Sequence, residues 1–244
     1  MAWYAYCITE QSIFQNVRVR RPFPIENLRG INGTPVFGYP SGEFAVIVSE
    51  YSHESALTQS SVVEHARVVS ECFRNSTVLP FRFGTIFEND DALRQAVRTN
   101  RKAFGDSVAH LRGKAEMHIK VTVRGDGSIQ TFSDVLPAQA GGEYLMRLRE
   151  KASRDRERQT KARALSVQVH KLFNPLEEEV SCKKVVAGGM TIDIAHLIDT
   201  KQIEKYQNRY STASRQLKNC ELAISGPWPP YHFMPGKLRT VGND

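Results

Sequence analysis

The chain of 244 residues lacks any apolar segment of membrane-spanning length. Its unbroken run Phe44-Ala45-Val46-Ile47-Val48 falls far short of the about 20 residues a spanning helix needs. Glycine (16) and proline (11) are too scarce for a collagenous or low-complexity chain. Met1–Ile8 has no basic stretch and no small-residue cleavage site, so no signal peptide is expected. The four cysteines (Cys7, Cys72, Cys182, Cys220) stand far apart with no C-x-x-C pair, and read as reduced thiols of a cytosolic core. Catalytic signatures are missing too: there is no G-x-S-x-G, no G-x-x-x-x-G-K-[ST] and no G-x-G-x-x-G. The seven histidines form no H-x-x-x-H pair and no ligand cluster with cysteine, and Glu177-Glu178-Glu179 reads as a solvated turn. The expectation is a protein without catalytic, cofactor, metal or small-molecule site.

What is present is a basic charge balance, 33 Lys and Arg against 26 Asp and Glu, concentrated in one place. Arg147–Arg163 holds eight basic and three acidic residues, Arg154, Arg156, Arg158, Lys161 and Arg163 among them. No apolar stripe runs between Ala152 and Ala162, so this helix middle should project beyond its own domain as a charge-laced face. It could also hold nucleic acid, which is the alternative function from a different class.

Hydrophobic periodicity predicts the elements. Residues 2–9 read as a strand, 20–42 as a Pro- and Gly-punctuated loop with at most a short helical turn, and Glu43–Ser49 as a strand buried on both faces. Val62, Ala66, Val69 and Phe73 form one helical stripe, and Val78–Phe87 is strand-like around Pro80 and Gly84. One longer helix carries Leu93, Val97, Phe104, Val108 and Leu111, closed by Gly113. Ala115–Arg124 alternates strictly, putting Glu116, His118, Lys120 and Thr122 on the solvent side. A turn at Gly125-Asp126-Gly127, a long helix over Gly141–Phe173, and strands Val180–Ala187 and Met190–Ile198 joined at Gly188-Gly189 follow. A helix to Leu217 and a strand Cys220–Ser225 complete the series.

The fold class is therefore α+β with two packed domains. Residues 1–112 form an N-terminal α+β domain. Residues 113–226 give β-α-β-β-α-β, a ferredoxin-like sandwich with a long projecting helix, and 227–244 an extended Pro/aromatic tail. Ferredoxin-like RNA platforms stack bases on aromatics of the central strands. Thr191, Asp193, Ala195 and Leu197, like the solvent-side residues 116–122, include no aromatic, which disfavours nucleic acid.

Two segments stand out. Leu79-Pro80-Phe81-Arg82-Phe83-Gly84-Thr85 sets a charge between aromatics. Gly226-Pro227-Trp228-Pro229-Pro230-Tyr231-His232-Phe233 must end its strand, because prolines cannot donate ladder hydrogen bonds. Trp228, Pro229, Pro230, Tyr231 and Phe233 are expected to anchor the tail in a groove of the protein's own body, or else to meet a partner.

With Trp3-Tyr4-Ala5-Tyr6 and Gly142-Glu143-Tyr144-Leu145, these segments resemble the gas vesicle protein L/F family over residues 3–233. The Gly-Pro-Trp-Pro-Pro-Tyr-x-Phe close is the most specific match, followed by the motif around Pro80, Arg82, Phe83 and Gly84. One departure is Met117, where the family commonly carries an aromatic. The resemblance implies a non-enzymatic accessory or minor structural protein of gas vesicle assembly. It implies a place in the cytoplasm associated with gas vesicles, and as partners the hydrophobic shell protein and other accessory proteins, with no membrane partner.

Overall fold

The computed structural model describes residues 1–14, 21–54, 56–123, 141–184 and 190–234. They fall into two compact units: Met1–Glu116 together with the tail that starts at Trp228, and Met117–Pro227. None of the described helices is long and apolar enough to cross a membrane.

The first unit is built on a six-stranded antiparallel sheet. Its strands are β1 (Ala2–Glu10), β2 (Phe23–Arg29), β3 (Pro35–Ser41), β4 (Phe44–Tyr51), β5 (Val78–Pro80) and β6 (Ile86–Phe87). Their order is β2-β3-β4-β1-β5, with β6 also paired to β1. Strands β1 and β4 are central, and Ala2–Thr9 and Phe44–Ser49 are buried residue after residue, so both faces are covered. The punctuated stretch 20–42, expected as a loop, instead supplies β2 and β3. Its prolines are placed where a strand tolerates them. Pro24 lies in the edge strand, whose pairing to β3 is irregular between Pro24 and Arg29. Pro35 opens β3, and Pro40 sits one residue from its end, just before the two-residue Gly42-Glu43 turn, where Gly42 supplies φ 67°.

Helices α1 (Gln59–Asn75), α2 (Asp90–Thr99) and α3 (Arg101–Leu111) cover this sheet. The stripe expected on α1 is rotated by one residue. Val62 is exposed, whereas Ser61, His65, Val68 and Val69 are buried. Ser61 belongs to the capping box with Thr58, and His65 meets a tyrosine, so polar residues occupy core positions that hydropathy assigns to their neighbours. The single helix expected over 93–111 is two, divided at Asn100, whose side chain and backbone N–H both bond the Ala96 carbonyl. Leu93, Val97, Phe104, Val108 and Leu111 are all buried as the periodicity required.

The second unit runs β7 (Lys114–Val123), α4 (Gly141–Phe173), β8 (Glu177–Lys184), β9 (Met190–Asp199), α5 (Ile203–Gln216) and β10 (Cys220–Trp228). The strand order is β10-β7-β9-β8. Met117, Ile119 and Val121 of β7, Ile192 and Ile194 of β9, and Tyr206 and Ala213 of α5 share one core with the C-terminal part of α4, from Ala162 to Phe173. Earlier in α4, Met146 and Leu148 are exposed, as are Arg156, Lys161 and Arg163, and Lys161 pairs with Glu157 at 2.7 Å. The side chains of Arg154 and Arg158 lie outside the described residues, as do both glycine turns, Gly125-Asp126-Gly127 and Gly188-Gly189.

Three local features differ from expectation. Glu177-Glu178-Glu179 is the start of β8, paired to Leu197, His196 and Ala195, because the carboxylate of Glu178 has buried partners. The last strand passes Pro227 and ends at Trp228. Thr191, Ala195 and Leu197 are buried, because β9 is an inner strand of its sheet and is covered on both faces.

Candidate functional site

The first unit brings the unusual segments of the sequence to one place, and β1 is the reason. Trp3, on one face, is buried, and its Nε1 donates to Asp90 Oδ1 at 2.8 Å. Tyr39 donates to the other Asp90 oxygen at 2.7 Å. These bonds, the Trp3 one first, hold the Asp90 carboxyl below its usual range and fix the start of α2. Tyr4 and Tyr6, on the other face, lie under α1 in a ring cluster with His65.

Residues 81–85 fold over that cluster. Phe81 N–H donates to the Tyr6 carbonyl and Ala5 N–H to the Thr85 carbonyl, each at 2.9 Å. Thr85 N–H returns to the Arg82 carbonyl at 3.1 Å, which closes a four-residue turn. Gly84 has φ 85°, the position of a type II turn that favours glycine. This places Phe83 at the tip, 38% exposed, with Arg82 also exposed and Pro80 buried. The Gly84 N–H donates to the Tyr4 hydroxyl at 3.1 Å. Tyr4 Oη also lies 2.9 Å from His65 Nδ1, and with the Phe81 carbonyl beside the ring the hydrogen of His65 belongs on Nε2, so that Nδ1 accepts from Tyr4. Burial pushes the Tyr4 phenol up to about 12 and His65 down to about 4, so His65 is neutral at pH 7.

The tail closes the site. After Trp228, Pro229 and Pro230 are buried, and Tyr231 N–H turns back to the Pro229 carbonyl at 2.8 Å. His232 then grips Glu116 twice, its backbone N–H on Oε2 and its Nδ1 on Oε1, both at 2.8 Å. A carboxylate only accepts, so Nδ1 carries the proton in this contact. Glu116, expected on the solvent side of its strand, is 1% exposed. Ala115, Met117, Ile119 and Val121 do face the core, but the tail lies over Glu116 on the other side. Burial pushes the Tyr231 phenol above its ordinary range, with smaller electrostatic contributions from Cys7, Glu116 and Tyr4. Its ring is still 38% exposed, and Trp228 is 43% exposed.

Of the residues singled out from sequence, Phe83 and Gly84 thus meet at Tyr4, while Tyr231 belongs to the turn that His232 fastens to Glu116. The basic residues of α4 belong to the second unit. Glu116, His65 and His232 were not among the expected site residues, although His232 lies within the tail motif.

The second unit has a polar network of its own. His196 is fully buried, with Tyr206 Oη 2.6 Å from Nδ1 and Glu178 Oε2 3.2 Å from Nε2. The same Glu178 oxygen takes His170 Nδ1 at 3.1 Å. Arg209 donates to the Phe173 carbonyl at the end of α4. Burial lowers His196 to about 4 against the pull of Glu178. The network ties α4, α5, β8 and β9 together.

The chain is similar to known proteins over its whole length. The model of the family described as gas vesicle synthesis protein GvpL/GvpF matches residues 2–235. Gas vesicle protein F of a Streptomyces species (strain CB03234) is 21% identical over 96% of this chain and 100% of that protein. Gas vesicle protein L of the same strain is 26% identical over 69% of this chain and 66% of that protein. Two crystal structures of GvpF share the fold. The protein from Microcystis aeruginosa has a TM-score of 0.70 at 19% identity, covering 96% of this chain and 99% of that one. The protein from Anabaena sp. PCC7120 has a TM-score of 0.71 at 18% identity, covering 96% of each chain. The chain belongs to the gas vesicle synthesis protein GvpL/GvpF family, whose members take part in gas vesicle formation.

Proposed function

We propose that this protein works by adhesion rather than catalysis. It binds subunits of the hydrophobic gas vesicle shell protein, and other accessory proteins, in the cytoplasm while shells assemble. The observation that carries this reading is the state of Phe83, Trp228 and Tyr231. These three large rings stay about 40% exposed in segments otherwise pinned by hydrogen bonds and buried prolines. Apolar surface left open on a fixed backbone is ready to be covered at about 25 cal/mol per Å2, with little ordering cost. A shell subunit that has not yet joined its neighbours has matching surface to hide.

The test is co-purification of shell subunits with the wild-type protein and with a Phe83→Ser, Trp228→Ser, Tyr231→Ser variant. Retention by wild type and its loss in the variant, with an unchanged melting temperature, is the expected result. If the wild type retains no shell subunit at any salt concentration, the reading is wrong. If the triple variant retains subunits as well as wild type, these rings are not the contact.

A further inference from the structure

We propose that Cys7 and Cys72 form a thiol pair that closes to an intramolecular disulfide when hydrogen peroxide enters the cavity at Cys72. The placement begins with an irregularity in β1. Its pairing to β4 shifts register between Ala5 and Cys7. The extra residue resets the in-and-out alternation, so that Cys7 joins Tyr4 and Tyr6 in the core beneath α1 instead of pointing to the opposite face. Thr9, two residues on, lies on the same side, and its hydroxyl bonds the Thr77 carbonyl at 3.0 Å, just past the end of α1.

Cys72 comes to meet them from α1. It lies seven residues after His65, two turns along the same helical face, and packs against the cluster that contains Cys7. Thr9 and Cys72 both line an open cavity of about 340 Å3, together with Phe14, Ile25, Arg67 and Glu71. Cys7 is fully buried, and Cys72 is partly exposed. Cys72 packs against the cluster that holds Cys7, and burial pushes the Cys7 thiol well up, with the neighbouring Cys72 adding to the effect. The roles are therefore unequal. Peroxide reaches Cys72, and Cys7 waits behind it as a protonated thiol that solvent does not touch.

The chemistry balances with peroxide as the oxidant. The Cys72 thiolate attacks one peroxide oxygen and the O–O bond breaks. Hydroxide leaves and takes up the thiol proton as water, and Cys72 becomes a sulfenic acid. Cys7 sulfur then attacks Cys72 sulfur, the S–O bond breaks, and the departing hydroxide takes the Cys7 proton as a second water. Two thiols and one peroxide become one disulfide and two waters. The S–S bond is about 2.0 Å, so the end of α1 must draw toward β1.

The experiment exposes the intact, folded chain to millimolar hydrogen peroxide and follows intact mass, free thiols and a non-reducing peptide map. The expected result is a loss of 2 Da and of two of the four thiols. A peptide joining Cys7 to Cys72 should appear, disappear with dithiothreitol, and never form in Cys72→Ser. Oxygen adducts that accumulate on Cys72 while the Cys7 thiol stays free would overturn the proposal. A crosslink through Cys182 or Cys220, or four unchanged thiols, would do so equally.

Discussion

Each unit of this protein buries one histidine against one tyrosine, and the two pairs are finished differently. In the second unit, Tyr206 and Glu178 occupy both nitrogens of His196. In the first unit, Tyr4 occupies His65 Nδ1, but Nε2 has no well-aligned hydrogen bond among the described residues. The Phe81 carbonyl lies near enough to favour protonation of that ring, but burial outweighs it. A buried donor without a partner costs about 1–3 kcal/mol. The second unit is thus satisfied in its core, and the first retains a local deficit directly under the Arg82–Thr85 turn. The Pro80–Gly84 motif lies over the less satisfied of the two.

The largest expected effect is the response to acid, which the two pairs share. Both histidines sit at about 4 in the folded chain against an unfolded value near 6.5. Between those values the unfolded state binds more protons, so stability falls as the pH drops from about 6.5 to about 4. Each histidine accounts for about 3 kcal/mol of that loss. Urea melts at pH 7 and pH 4.5 should show the slope halved in either His65→Gln or His196→Gln. A slope that disappears in one variant alone would show that the two units do not share the acid response.

Removing the tail from Trp228 onward comes next. It strips His232 from a buried carboxylate and should lower the stability of the first unit by about 3 kcal/mol. Hydrogen exchange should show lost protection in β1 and β5 with α5 unchanged. An unaltered melting curve would mean that the tail serves partners alone. Glu178→Ala should cost about 2 kcal/mol, this time in the second unit, because it gives His196 the same orphaned Nε2–H that His65 already has. Thermal melts of that variant, read beside wild type, measure what the first unit tolerates.

Gly84→Ala should cost about 1 kcal/mol through its positive φ, since the nearest atom to an added Cβ is Leu57 Cδ1 at 3.9 Å. Near-ultraviolet circular dichroism should report a changed tyrosine environment around Tyr4. The smallest effect belongs to α4. Breaking its exposed Glu157–Lys161 pair with Lys161→Ala should shift stability by about 0.4 kcal/mol, and only at low salt.

The sequence was most informative where one period governed a whole element. The alternation of Ala115 through Val123 gave β7, the continuous apolar run gave β4, and the lack of an apolar stripe before Ala162 gave the part of α4 that leaves the core. It was least informative in 20–42, where proline and glycine signal breaks in isolation but are accommodated at an edge, a strand start and a hairpin turn. The site was legible in part. The tail and the Pro80–Gly84 segment drew attention through their composition, yet nothing local said that Gly84 bonds Tyr4 or that His232 bonds Glu116. Glu116 and His65 were hidden because a polar residue at a core position becomes recognisable only through the partner that satisfies it.

Residue order alone determined the succession β-α-β-β-α-β, the helical and strand periods, and the family motifs, because each depends on neighbours within a few positions. Tertiary structure decided which polar side chains are buried, where β1 slips its register to turn Cys7 toward α1, and that His232 closes on a carboxylate 116 residues away. Those outcomes depend on pairings between distant parts of the chain, and spacing along the sequence leaves such pairings unconstrained until the core forms.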